Sequence, residues 1–146
     1  MLVETVVALV ILTIVSLALF KGAMNTLAPR QWSLTQNISD AYLTYEKAYA
    51  ERIPFDELTA TASPWPVYPN KAELTVTIGT LPGGRTLTGK VIRTRKPDSN
   101  NLPAAGGSGT ATTNPSEMQT WTVQSLLIYE LHDREYVKTR SIVRTQ

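Results

Sequence analysis

Few groups in this chain are equipped for covalent chemistry. It has no Cys and a single His, which excludes thiol nucleophiles, disulfides, Cys-ligated zinc and His-rich metal sites. His132 stands beside Asp133 and close to Glu135. That spacing suits a general base, but the residues read as a turn, where solvated charge is the ordinary finding. No glycine-rich phosphate loop, Ser elbow or metal-ligand spacing occurs. No catalytic, cofactor-binding or metal residue is therefore assigned, and the chain reads as a non-enzyme.

Two other sets of charged residues stand out. Lys90, Arg93 and Arg95 lie on one segment with Arg85 and Lys96, and Lys138 and Arg140 lie on another with Arg134 and Arg144. If the two segments adjoin, they form a basic face able to hold polyanion phosphates such as those of DNA. With 14 Lys and Arg against 12 Asp and Glu, the net charge is only +2. So small an excess favours two plainer readings, protection of strand edges and pairing with acids of an adjacent copy. The remaining group is Glu4. It sits near the start of an apolar run that has no charge, Gly or Pro from Thr5 to Phe20 and that Lys21 closes. As a helix the run is roughly 30 Å long, about one bilayer core. A carboxylate there costs several kcal/mol unless it finds a partner, so Glu4 is a functional candidate.

Glu4 followed by Val-Val-Ala-Leu-Val-Ile-Leu resembles the amino terminus of mature type IV pilins and pseudopilins, strongly over residues 2–20 and beyond them only in general plan. The family cuts a short basic leader from a prepilin with a membrane peptidase and methylates the new amino terminus. Its glutamate is the fifth residue after cleavage; here it is the fourth, so one residue is missing ahead of Met1 or this member is offset by one. A secretory signal peptide fits less well, lacking a basic n-region and a small-residue cleavage site after Phe20. The chain is expected to be mature or nearly so.

The resemblance implies a structural subunit held in the inner membrane and then drawn into a helical homopolymer at the cell surface. Its partners would be its own copies, the prepilin peptidase and the pilus assembly machinery, with no cofactor and no nucleic acid. Met1 and Glu4 would register subunits. Val6, Val7, Leu9, Val10, Ile11, Leu12, Ile14, Val15, Leu17, Leu19 and Phe20 would form the membrane span and later the filament core. The alternatives are a pseudopilin of a type II secretion-type system and a signal-anchored periplasmic binding domain that never polymerises.

These residues need elements to position them. Gly22 and Pro29 bracket a stretch expected to weaken, bend or melt the helix as a hinge, so residues 1–29 form an arm and 30–146 a head. Residues 30–53 read as an amphipathic helix whose inward stripe is Leu34, Ile38, Tyr42, Tyr45, Tyr49 and Ile53. A proline-rich loop follows at 54–71. Strands are expected at about 73–81, 85–96, 118–131 and 134–144, the last with Val137 and Val143 inward. The expected fold is α+β: a long helix packed on a four-stranded antiparallel sheet. Residues 97–117 are small and polar and read as a long exposed loop, tolerant of trimming and a candidate for O-linked sugar at 105–116. The acceptor triplet at Asn37 lies on the helix and is discounted. If the apolar arm drives association, a chain beginning at Arg30 is a soluble monomer; polymers of it in sedimentation would refute an arm-centred core.

Overall fold

The computed structural model describes residues 2–131 and 133–146, without the side chains of residues 2 and 25–28. Met1 and His132, both singled out above, lie outside the described residues. The order is α1 (Leu2–Arg52), α2 (Phe55–Thr59), β1 (Ala72–Thr80), β2 (Thr86–Pro97), a 3-10 turn at Pro103–Ala105, β3 (Thr120–Leu131) and β4 (Arg134–Thr145). The four strands form one antiparallel meander in the order β1-β2-β3-β4, giving the expected α+β fold. The chain divides into two compact units, Met1–Asn37 and Ile38–Gln146.

The expected hinge does not interrupt the helix. α1 stays helical through Gly22 and Pro29. Gly costs about 1 kcal/mol and Pro about 3 in a helix interior, yet Pro forfeits only one backbone bond. Stopping at 22–29 would strip several consecutive amides of their partners and require a second costly nucleation beyond. A helix with long flanks on both sides tolerates the defect more readily than a break.

In the second unit the buried stripe of α1 is Ser39, Leu43, Glu46, Ala50 and Ile53, with Ile38, Tyr42 and Tyr49 partly buried beside it. The stripe is rotated by about one residue from the expected one, and Tyr45 is 61% exposed. Ser39 and Ala50 let the helix approach the sheet closely, while the tyrosines are too large for the middle of the contact and line its sides. Two apolar clusters result. Leu43 packs with Leu87, Val91, Leu127 and Tyr129. Ala50 and Ile53 pack with Leu58, Trp65 and Val123.

Alternation along β3 turns Trp121, Val123, Ser125, Leu127, Tyr129 and Leu131 inward. Directly opposed residues share a face, and β4 places Tyr136 opposite Tyr129, Lys138 opposite Leu127 and Ile142 opposite Val123. The inward set of β4 is therefore Tyr136, Lys138, Arg140, Ile142 and Arg144, of which Arg140, opposite Ser125, stays exposed. Val137 and Val143 face outward, at 56% and 64% exposure, the reverse of the expectation. At this edge the long basic side chains lay their stems on the core and send their charges back to the helix. Lys138 reaches Asp40 at 2.9 Å. Arg144 donates to the carbonyls of Ala50, Glu51 and Ile53, closing the end of α1.

The proline-rich segment carries α2 and buries Leu58 and Trp65 completely. It continues the sheet beside β2, with the Tyr68 N–H on the Arg95 carbonyl at 2.8 Å and the Arg95 N–H on the Pro66 carbonyl at 2.9 Å. The 97–117 loop is not simply exposed. Asn101 is buried, and its side chain both donates to the Thr120 carbonyl and accepts from the Thr120 N–H, each at 2.8 Å. Gly107 and Gly109 pack so closely that a Cβ on either would lie 2.1 Å from the carbonyl oxygens of Asn101 and Asn100. Trimming this loop removes an anchored structure, contrary to the reading above. Asn101→Ala removes the acceptor of the Thr120 N–H and one of the two donors to the Thr120 carbonyl, which keeps the Asp98 N–H, and is expected to lower stability by about 2 kcal/mol; urea unfolding of the chain in detergent, followed by Trp fluorescence, measures it.

Candidate functional site

The arm of α1 is built from Val, Leu, Ile and Ala, with nothing before Lys21 to stop a helix. Its large apolar side chains fall on every side at 100° per residue rather than on one stripe. Val6, Val7, Leu9, Val10, Ile11, Leu12, Ile14, Val15, Leu17, Leu19 and Phe20 are each about half exposed or more. The helix is long and apolar enough to cross a membrane, and none of its most apolar stretch is buried against the described residues. At roughly 2 kcal/mol per side chain, leaving these eleven in water costs on the order of 20 kcal/mol. The arm needs an apolar surrounding that one copy of the chain does not supply. Glu4 lies exposed one turn from its beginning.

The basic residues do not assemble into one exposed face. β3 lies between β2 and β4, which separates Lys90, Arg93 and Arg95 from Lys138 and Arg140. Within β2, Lys90 faces outward and is paired with Glu73, whereas Arg93 and Arg95 face inward. Glu73 is held by Lys71 at 2.6 Å and by Lys90. Hydrogen bonds from these two ammonium groups bring its carboxyl down to about 2. Arg95 is buried and donates to the carbonyls of Leu58, Thr59 and Ala60, closing the end of α2. Lys138 is engaged by Asp40. Arg140 lies exposed.

The most concentrated polar arrangement in the second unit is one that sequence reasoning missed. Glu46 has no solvent exposure. Arg93 grips its carboxylate at both oxygens, Nε to Oε2 at 2.8 Å and Nη2 to Oε1 at 2.6 Å. The Ser125 hydroxyl donates to Oε2 and the Tyr42 hydroxyl to Oε1, each at 3.1 Å. Trp65 Nε1 donates in turn to Ser125 Oγ at 3.1 Å. The guanidinium lies 5.0 Å from the ring centre of Trp65 and 5.6 Å from that of Tyr49. Burial alone would lower the Arg93 pKa, but the hydrogen bonds and charge of Glu46 outweigh it and hold the pKa above its ordinary value. Removing one partner of such a pair costs about 3–5 kcal/mol. The signal for Glu46 was present in the spacing 39, 43, 46, 50, 53. The aromatic residues at 42, 45 and 49 drew the stripe away from it.

This network anchors the head. The arm, with its uncovered apolar surface and its carboxylate, is the candidate functional site. Searches against protein-family models, curated proteins and solved structures find no match to this chain.

Burial, followed by the charge and hydrogen bond of Glu46, raises the Tyr42 hydroxyl to about 12. The folded state thus holds this proton more tightly than the unfolded chain, where the pKa is about 10. The stability it contributes is complete below pH 10 and is lost as the pH rises through 12. Tyr42→Phe is expected to be less stable than the parent at pH 8, with the gap narrowing between pH 10 and 12. Urea midpoints across that range check it, and a constant gap would contradict it.

Proposed function

We propose that this chain is a structural subunit of a type IV pilin-like helical filament. The observation that carries the reading is the all-round apolar, uncovered arm with Glu4 near its beginning. Before assembly, lipid of the inner membrane solvates the arm. In the filament the arms of other copies replace the lipid, so the apolar cost is met in both states. Each contact is head-to-tail between different surfaces of the same chain, so the array stays open and propagates. The separately compact head of residues 38–146 would ride outside that core. Its integrity rests on interactions of its own, so membrane insertion and assembly need not unfold it.

Glu4 supplies register. Among apolar helices an unpaired carboxylate is costly, and the compensating charge is an amino terminus, its own or a neighbour's. Apolar packing is tolerant of sliding, whereas a buried charge pair selects one alignment. Glu4→Ala is therefore expected to leave the head folded and the protein membrane-inserted while abolishing or crippling filament formation. Glu4→Gln should be nearly as severe if charge is what matters. Electron microscopy of sheared surface material, beside membrane fractionation, reads both. Normal filaments from Glu4→Ala cells would overturn the proposal, and short envelope-bound filaments in the parent would move it to the pseudopilin alternative.

A further inference from the structure

A second feature, wholly within the head, has no part in assembly as proposed. Beyond the end of α1, the inward face of the sheet is covered by the segment that carries α2 and by the 97–117 loop. Between them lies a cleft of about 510 Å3 whose lining includes Thr59, Asn70, Arg95, Gly106, Gln119 and Trp121. That volume lies within the range of small-molecule sites and is large for a lone ion.

Two side chains that line this cleft each carry a donor with no acceptor among the described residues: Arg95 Nε and Trp121 Nε1. Both residues are more than nine-tenths buried, at 3% and 7% exposure. An orphaned buried N–H costs about 1–3 kcal/mol, and more when it belongs to a charged group. The guanidinium also lies 5.2 Å from the ring centre of Trp121, so the two donors belong to one stacked pair. The other guanidinium nitrogens donate to backbone carbonyls of α2 and the residue after it. Those carbonyls satisfy N–H groups but carry no full negative charge. Among the described residues Arg95 has no salt bridge to Asp or Glu, unlike Arg93 in the Glu46 network, and no acid lines the cleft. Burial accordingly lowers the Arg95 pKa.

We infer that this cleft binds a small organic carboxylate, held by Arg95 Nε and Trp121 Nε1. A carboxylate has two oxygens for two donors and supplies the charge the site lacks. A neutral carbonyl would satisfy the donors and leave the charge. Val67, Ala105 and the indole ring offer apolar surface for the body of the ligand. Both nitrogens are closed to solvent, so a carboxylate in the cleft reaches them only when the lining shifts to uncover them.

The test uses the full chain, 15N-labelled, in detergent micelles. Its three Trp give three indole N–H resonances, and the one lost in Trp121→Phe is assigned to Trp121. Sodium benzoate is added against sodium chloride at equal ionic strength. The expected result is a saturable shift confined to the Trp121 indole, given by benzoate and not by chloride. By calorimetry, Trp121→Phe, which keeps an aromatic ring and removes the donor, should bind benzoate about tenfold more weakly. The inference is overturned by an unmoved or non-saturating Trp121 resonance, by equal shifts of all three indoles, or by unchanged affinity in Trp121→Phe. A long-lived water bonded to the Trp121 indole that benzoate does not displace would overturn it as well.

Discussion

A carboxylate with no solvent exposure is tolerable on a helix only if every oxygen is satisfied, and Glu46 meets that condition. Its two oxygens accept from Arg93 on β2, Ser125 on β3 and Tyr42 on its own helix. Through Ser125 the bonding reaches Trp65, which pins the proline-rich segment. One charge thus fixes the helix against two strands and a loop in a single register. Apolar packing alone would permit rotation or sliding at small cost; an unpaired buried charge would not. The two apolar clusters of the core lie to either side of this pair, one around Leu43 and one around Ala50 and Trp65.

The same economy of charge explains what became of the basic residues. Arg95 closes α2 and Arg144 closes α1, each by donating to carbonyls that the helix leaves unbonded. A helix end is electronegative, so a guanidinium there is favoured both as donor and as charge. These arginines act as fasteners between helix ends and sheet. Neither is therefore presented on an open face of the sheet.

The arm obeys a different rule. Its apolar residues face all directions and lie exposed, so its stability belongs to its surroundings. On the proposed reading those surroundings are first lipid and then other copies, and the change needs no refolding because both are apolar. The unbroken course of α1 past Gly22 and Pro29 gives the arm and the head's packing helix one continuous backbone.

Much was legible in the residues alone. The apolar arm and Glu4 follow from an unbroken run, since a stretch without charge or breaker has no other stable form near a membrane. The four strands follow from period-two alternation and from turn residues such as Pro82-Gly83-Gly84, which are local signals. The rest depended on residues distant in sequence. Glu46 reads as a surface acid until Arg93 and Ser125 are folded against it. The inward face of β4 was misread because Val137 and Val143 are apolar, whereas facing is set by pairing with β3 and not by the strand's own composition. Asn101 looked like loop filler until it met Thr120, and Arg95 and Trp121 became a pair only when β2 and β3 were aligned. Local pattern reports which element a segment forms. Which polar group can afford burial is decided by partners that only the tertiary structure brings within hydrogen-bonding distance.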